Sequence, residues 1–224
     1  MKILFKLVFL LAVSIVRAQD CSNYYYLQNN KTVETSLFDK KGDITGKVLY
    51  SIADVKNSNG ITTATLQSHM FDKKGKTIGK ANSIVKCNGG VMMINMKLMM
   101  STPQAEQFSQ ASAKTDDFFI EYPANMKKGD QLREGTLNMD VDNNGLQQSI
   151  SMTVFDRKVE DKEKVTTPAG TWDCYKISYK IKMSIRVMGV GVPINMEGTE
   201  WYAPGFGVVK TSSKHGSTEI TSIK

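Results

Sequence analysis

Thirteen methionines, three cysteines and two histidines bound the chemistry open to this 224-residue chain. Five of the methionines, Met92, Met93, Met96, Met99 and Met100, crowd into the ten residues from Val91 to Met100. Thioether sulfur is a soft ligand suited to copper(I). Such sites recruit His or Cys as well, and this run holds neither. Read as a strand, the run places Met92, Ile94, Met96, Leu98 and Met100 on one wholly apolar face. Methionine side chains adapt to partners of varied shape. Met92, Met96 and Met100 are therefore candidate lining for a groove that takes an acyl chain or an apolar peptide.

Catalytic assemblies are scarce. His69 and His215 have no recognisable nucleophile motif beside them, and no G-x-S-x-G elbow is present. Triad members can stand far apart in sequence, so a hydrolase without a local motif remains a third reading. The paired acids Asp116-Asp117 and Glu160-Asp161 lie in polar, loop-like stretches, and the chain has neither a P-loop nor G-x-G-x-x-G. Asp140-Val-Asp-Asn-Asn-Gly145 opens like a calcium loop, but its twelfth position is Ser151, where a bidentate Glu is required. The segment reads instead as a hairpin turn. Cys21, Cys87 and Cys174 form no C-x-x-C, which removes the usual redox and zinc motifs. In an oxidising compartment two of them can pair by any of three choices; buried unpaired thiols are an equal alternative. The expectation is a non-enzyme with no cofactor and no metal.

The elements that must position these residues are strands. Phe38-Asp-Lys-Lys-Gly-Asp-Ile-Thr-Gly-Lys47 returns 33 residues later as Phe71-Asp-Lys-Lys-Gly-Lys-Thr-Ile-Gly-Lys80. Asp bonds to backbone amides two residues on and Gly tolerates φ > 0, so each copy joins two strands as a hairpin. Ser213-Lys-His-Gly216 is a weaker third echo. From Thr32 to Cys87 the pattern is a four-strand meander with a turn at Asn57–Gly60, and Asn88-Gly-Gly90 turns into the methionine run. Tyr175, Ile177, Tyr179, Ile181, Met183 and Ile185 alternate with polar residues. Tyr175, Ile177, Tyr179, Ile181 and Met183 join the candidate ligand-facing residues. A strand this long reaches roughly 40 Å and must coil, which predicts a curved sheet. Thr102-Pro103 with Glu106 predicts one short helix over Pro103–Ala113. The expected fold is all-β: a long, strongly curved antiparallel sheet, half-barrel or open barrel, built from repeated hairpins.

Residues 1–18 combine a basic start, a short apolar run and small residues at Val16 and Ala18, as a secretory signal does. Residues 19–224 are then a single β domain, exported to the periplasm or beyond. Acylation at Cys21 is disfavoured because Gln19 and Asp20 are polar where a lipid-attachment motif wants small apolar residues. The apolar run is too short for a membrane span of roughly 20 residues. Loss of Lys2, Lys6 and Arg17 lowers the net charge from +7 to +4, and the remaining cations are spread, mostly as Lys. That is a solvated surface rather than a nucleic-acid footprint.

Pro168-Ala-Gly-Thr-Trp-Asp-Cys-Tyr-Lys-Ile177 and Trp201-Tyr-Ala-Pro-Gly-Phe-Gly-Val-Val-Lys210 together resemble exported proteins of Bacteroidota grouped as TapB-like, related to a domain of unknown function. The likeness runs from Cys21 to about Ser213, and Ser213-Lys-His-Gly216 departs from the Asp-Lys-Lys-Gly turn expected there. The resemblance implies an antiparallel β architecture and an envelope location, and no catalytic residues. Two readings lead: a non-enzymatic protein that binds lipid or another apolar ligand in its concave face, or a structural module with a self-filled core that meets an envelope protein partner.

Overall fold

The structure is a computed structural model, and it describes residues 21–100, 118–143 and 146–224. Twelve strands follow one another among the described residues: β1 (Thr32–Asp39), β2 (Ile44–Ser58), β3 (Ile61–Asp72), β4 (Thr77–Asn88), β5 (Val91–Asn95), β6 (Phe119–Tyr122), β7 (Gly135–Asn143), β8 (Leu146–Thr167), β9 (Gly170–Val187), β10 (Val190–Ala203), β11 (Gly207–Ser213) and β12 (Gly216–Ile223). They form one antiparallel sheet in the order β6-β5-β4-β3-β2-β1-β12-β11-β10-β9-β8-β7. The sheet curls into a nearly closed barrel, the all-β open barrel that the strand pattern predicts. The helix expected at Pro103–Ala113 lies outside the described residues. Among the described residues no helix is long and apolar enough to cross a membrane.

The duplicated turns are alike in detail. Asp39 Oδ1 accepts from the amides of Lys41 (2.8 Å) and Asp43 (3.0 Å). Asp72 Oδ1 accepts from those of Lys74 (2.8 Å) and Lys76 (2.9 Å). Gly42 and Gly75 take φ of +86° and +82°, which explains the glycine at each. The meander puts these turns, with Val187–Val190 and Ser213–Gly216, at one end of the barrel, here the rim. At the opposite end, the base, lie the turns after Ser58, Asn88, Thr167 and Ala203.

An N-terminal segment closes the base. Two 3-10 turns, Cys21–Asn23 and Tyr25–Leu27, hold it there. The Tyr24 hydroxyl donates to Gly90 O (2.9 Å) and the Tyr25 amide to Gly205 O (2.9 Å). The rings of Tyr25 and Tyr26 pack on Phe206 at 5.2 and 5.4 Å. A disulfide ties Cys21 to Cys87 on β4, which resolves the pairing; Cys174 remains a buried free thiol.

Two expectations need correction. The Val91–Met100 run is not one strand: β5 ends at Asn95 and a 3-10 turn follows at Met96–Met99. The Asn95 side chain accepts from Lys97 N (2.8 Å), a local bond that competes with strand pairing. The Tyr175–Ile185 alternation also breaks at its start, where Cys174 is buried and Tyr175 only half so. A bulge in the neighbouring strand, between Val159 and Asp161, lies opposite this stretch.

The long strands β7–β10 reach beyond their neighbours. Gly198↔Ser213 is the last pair of β10 with β11, so Val190–Glu197 continue with β9 alone on one side. Pro193 is compatible with that edge. The β9–β10 turn exposes Met188 (69%) and Val190 (79%), with Val187 and Ile194 beside them.

Candidate functional site

Curling the sheet encloses a cavity of about 410 Å³. Its wall runs from Tyr26 in the base segment to Leu37, Met70 and Thr218, each two residues from a rim turn. The aliphatic groups of Val48, Leu66, Val85, Ile120 and Val208 line the wall between. The corrected path of the methionine run contributes Leu98, Met99 and Met100.

The candidate ligand-facing residues divide. Met100, Tyr179 and Ile181 line the cavity. Met92, Met96 and Ile177 are fully buried in the core around it, and Met183 is buried as well. Tyr175 lies outside the lining, with the Lys162 ammonium 5.4 Å above its ring.

Among the described residues one charged side chain lines the cavity, Glu200 on β10. Its parity with Met196 and Tyr202 carries it inward, so an acid on an apolar phase was the signal that could have found it. The Tyr122 hydroxyl donates to both carboxylate oxygens at 3.0 Å. Arg157 Nη2 stands 3.5 Å away, and the two side chains of this ion pair are 0% and 5% exposed. Tyr122 stacks on Tyr202 at 4.3 Å, and the Arg157 guanidinium lies 4.8 Å from the Tyr122 ring centroid.

Arg157 reaches this place through a bulge. Asp156 and Arg157 both stand opposite Tyr179, and Asp156 takes φ of +50°. The two-against-one count turns Arg157 inward. From there Arg157 Nη1 donates to Glu121 O on β6 and to Arg133 O before β7, each at 3.0 Å. β6 and β7 are the two edges of the sheet, so one guanidinium latches the seam that ladder bonds leave open. Gly135 completes the closure: a Cβ there would meet Ile120 Cδ1 at 2.6 Å and Met96 Sδ at 2.9 Å. Sequence reasoning missed Arg157, because a bulge does not show in an alternation pattern.

Burial raises the Glu200 pKa above its ordinary value, and Arg157 with the Tyr122 hydrogen bond pulls back only part of the rise. Tyr122 and Tyr179 are raised too, first by burial and then by the Glu200 charge. Burial pushes the Cys174 thiol up to about 12, with smaller pushes from Asp173 and Glu163. Such a thiol is inert as a nucleophile. Among the described residues no group of three or more His, Cys, Asp or Glu is placed to hold a metal ion. The arrangement can hold an apolar body against a single buried acceptor.

Fold and site together define an antiparallel β-barrel with an internal apolar cavity and a latched seam. The DUF3108-like family profile matches residues 28–224, and the chain belongs to that family. A Bacteroides fragilis protein with a YmcC-like fold, named as a candidate exported protein, is 23% identical with a TM-score of 0.69; the match covers 88% of this chain and 96% of that one. A candidate lipoprotein of Parabacteroides distasonis is 22% identical with a TM-score of 0.72, covering 90% of this chain and 99% of that one. At these identities the likeness is one of fold. No functionally curated protein is detectably similar in sequence.

Proposed function

We propose that this chain is an exported, non-enzymatic binding protein that holds the apolar part of an amphiphile inside its barrel. The observation that carries the reading is the cavity. Its volume falls within the roughly 300–1,000 Å³ of small-ligand sites, and among the described residues its wall is aliphatic and thioether apart from Glu200, three threonines and four tyrosines. A structural module with a self-filled core would leave no such space. Export is supported by the signal-like pattern of residues 1–18 and by the TapB-like motifs at Pro168–Ile177 and Trp201–Lys210. The names of the two Bacteroidota structures agree with it.

Titration with an environment-sensitive naphthylamine dye tests the reading. Saturable, blue-shifted fluorescence is expected, and Val48→Phe should weaken it about tenfold or more by filling the cavity, without lowering thermal stability. Dye binding that ignores Val48→Phe, or no saturable binding, would refute it.

A further inference from the structure

We infer that the cavity selects a neutral amphiphile whose head donates a hydrogen bond, such as a long-chain alcohol or amide, over the matching carboxylate. The inference rests on the cavity's being a ligand site and adds the chemistry of the head. Three observations support it. First, an ionised carboxylate only accepts hydrogen bonds and has about four lone-pair positions. Glu200 receives one shared hydrogen from Tyr122 and a long 3.5 Å contact from Arg157. Acceptor capacity is therefore left over on a group that lines the cavity. Second, among the described residues no Lys, Arg or His lines the cavity, so an anionic head brought inside meets Glu200 and no cation from this part of the wall. Arg157 is itself wholly buried behind Glu200 and faces the seam carbonyls. Third, that guanidinium already offsets the Glu200 charge, which leaves little to reward desolvation of an ammonium head.

The remaining lining hydroxyls are neutral, and Thr211 and Thr218 satisfy each other at 2.8 Å. Tyr179 stands two residues nearer the rim than Glu200, since it pairs with Gly198 and Glu200 pairs with Ile177. It sits opposite the Asp156–Arg157 bulge and crosses Gly198, where a Cβ would come within 2.6 Å of its hydroxyl oxygen. A donor head at Glu200 thus has Tyr179 as a second wall, with the alkyl chain running toward Leu37 and Met70.

Competition against the naphthylamine dye with decanol, decanoate and decylamine at neutral pH tests this on the unaltered protein. Decanol should displace the dye at a concentration about tenfold or more below that needed for decanoate, with decylamine also weaker than decanol. In Glu200→Gln the carboxamide can donate to a carboxylate, so the alcohol-to-carboxylate ratio should fall toward one while dye binding shows the cavity intact. Decanoate binding as tightly as decanol would overturn the inference and place the head at the lysine-bearing rim. Retention of the alcohol preference in Glu200→Gln would overturn it too. Failure of all three to displace a bound dye would remove the proposed amphiphile-binding function itself, a result distinct from an indifferent head.

Discussion

At the scale of single residues the decisive pair is Arg157 and Glu200, and both contribute through burial. A guanidinium presents five donors in a planar fork, which lets one side chain reach two carbonyls and a carboxylate. Lysine cannot reproduce that geometry. Arg157→Lys should therefore cost about 3 kcal/mol in urea melts, whereas losing the exposed Lys47–Glu34 pair by Lys47→Ala should cost no more than about 1 kcal/mol. Equal small losses would mean that the seam does not depend on the latch. Glu200 also gives a pH signature. Its folded pKa lies above the unfolded value, so its contribution is fully present below about pH 4, the ordinary glutamate range, and is lost as pH rises through the folded pKa. Glu200→Gln removes that loss. Relative to the unaltered protein, the variant should do better at neutral pH than at about pH 4. A stability difference constant across the two would contradict the raised pKa. Legibility differed sharply between the two residues. Glu200 stands on an apolar phase that anyone can count, while Arg157 enters only because Asp156 adopts a left-handed φ.

At the scale of elements, hairpin turns were legible because their chemistry is local. Asp, two Lys and Gly specify the turn wherever they stand, and the two copies repeat the same pair of amide bonds. The long alternation in β9 was legible too from Ile177 to Met183, where Ile177, Ile181 and Met183 are buried and Tyr179 is half-buried. What failed was phase across a bulge and across a side-chain cap. Tyr175 precedes the shift opposite Glu160, and the methionine run turns at Asn95, so neither follows the simple period. A pair of substitutions checks the phase of β9. Ile181→Asp places a carboxylate in the cavity wall and should cost several kcal/mol. Lys180→Asp exchanges an exposed cation, 3.0 Å from Asp156, for a like charge and should cost about 1 kcal/mol or less. Equal losses would show that both faces of β9 are buried.

At the scale of the molecule, a twelve-stranded sheet with edges β6 and β7 closes by side chains at its seam and by an N-terminal segment at its base. An all-β curved sheet could be anticipated from strand lengths, since strands that long must coil. The disulfide partner and the cavity could not, because both depend on which turns meet at the base. The Cys21–Cys87 link spans 66 residues, and its removal by Cys21→Ser with Cys87→Ser should cost about 4 kcal/mol through the loop entropy restored to the unfolded chain. Urea melts of the double variant measure it directly; an unchanged midpoint would show that packing of Tyr24–Leu27 alone holds the base. The proposed function requires the barrel to hold an apolar ligand. Native mass spectrometry of the protein, purified without detergent and gently desolvated, tests it most directly. The expected result is a population heavier than the bare chain by the mass of one small amphiphile, lost on denaturation and diminished in Val48→Phe. Only the bare mass in every preparation, including those mixed with excess decanol, would contradict it.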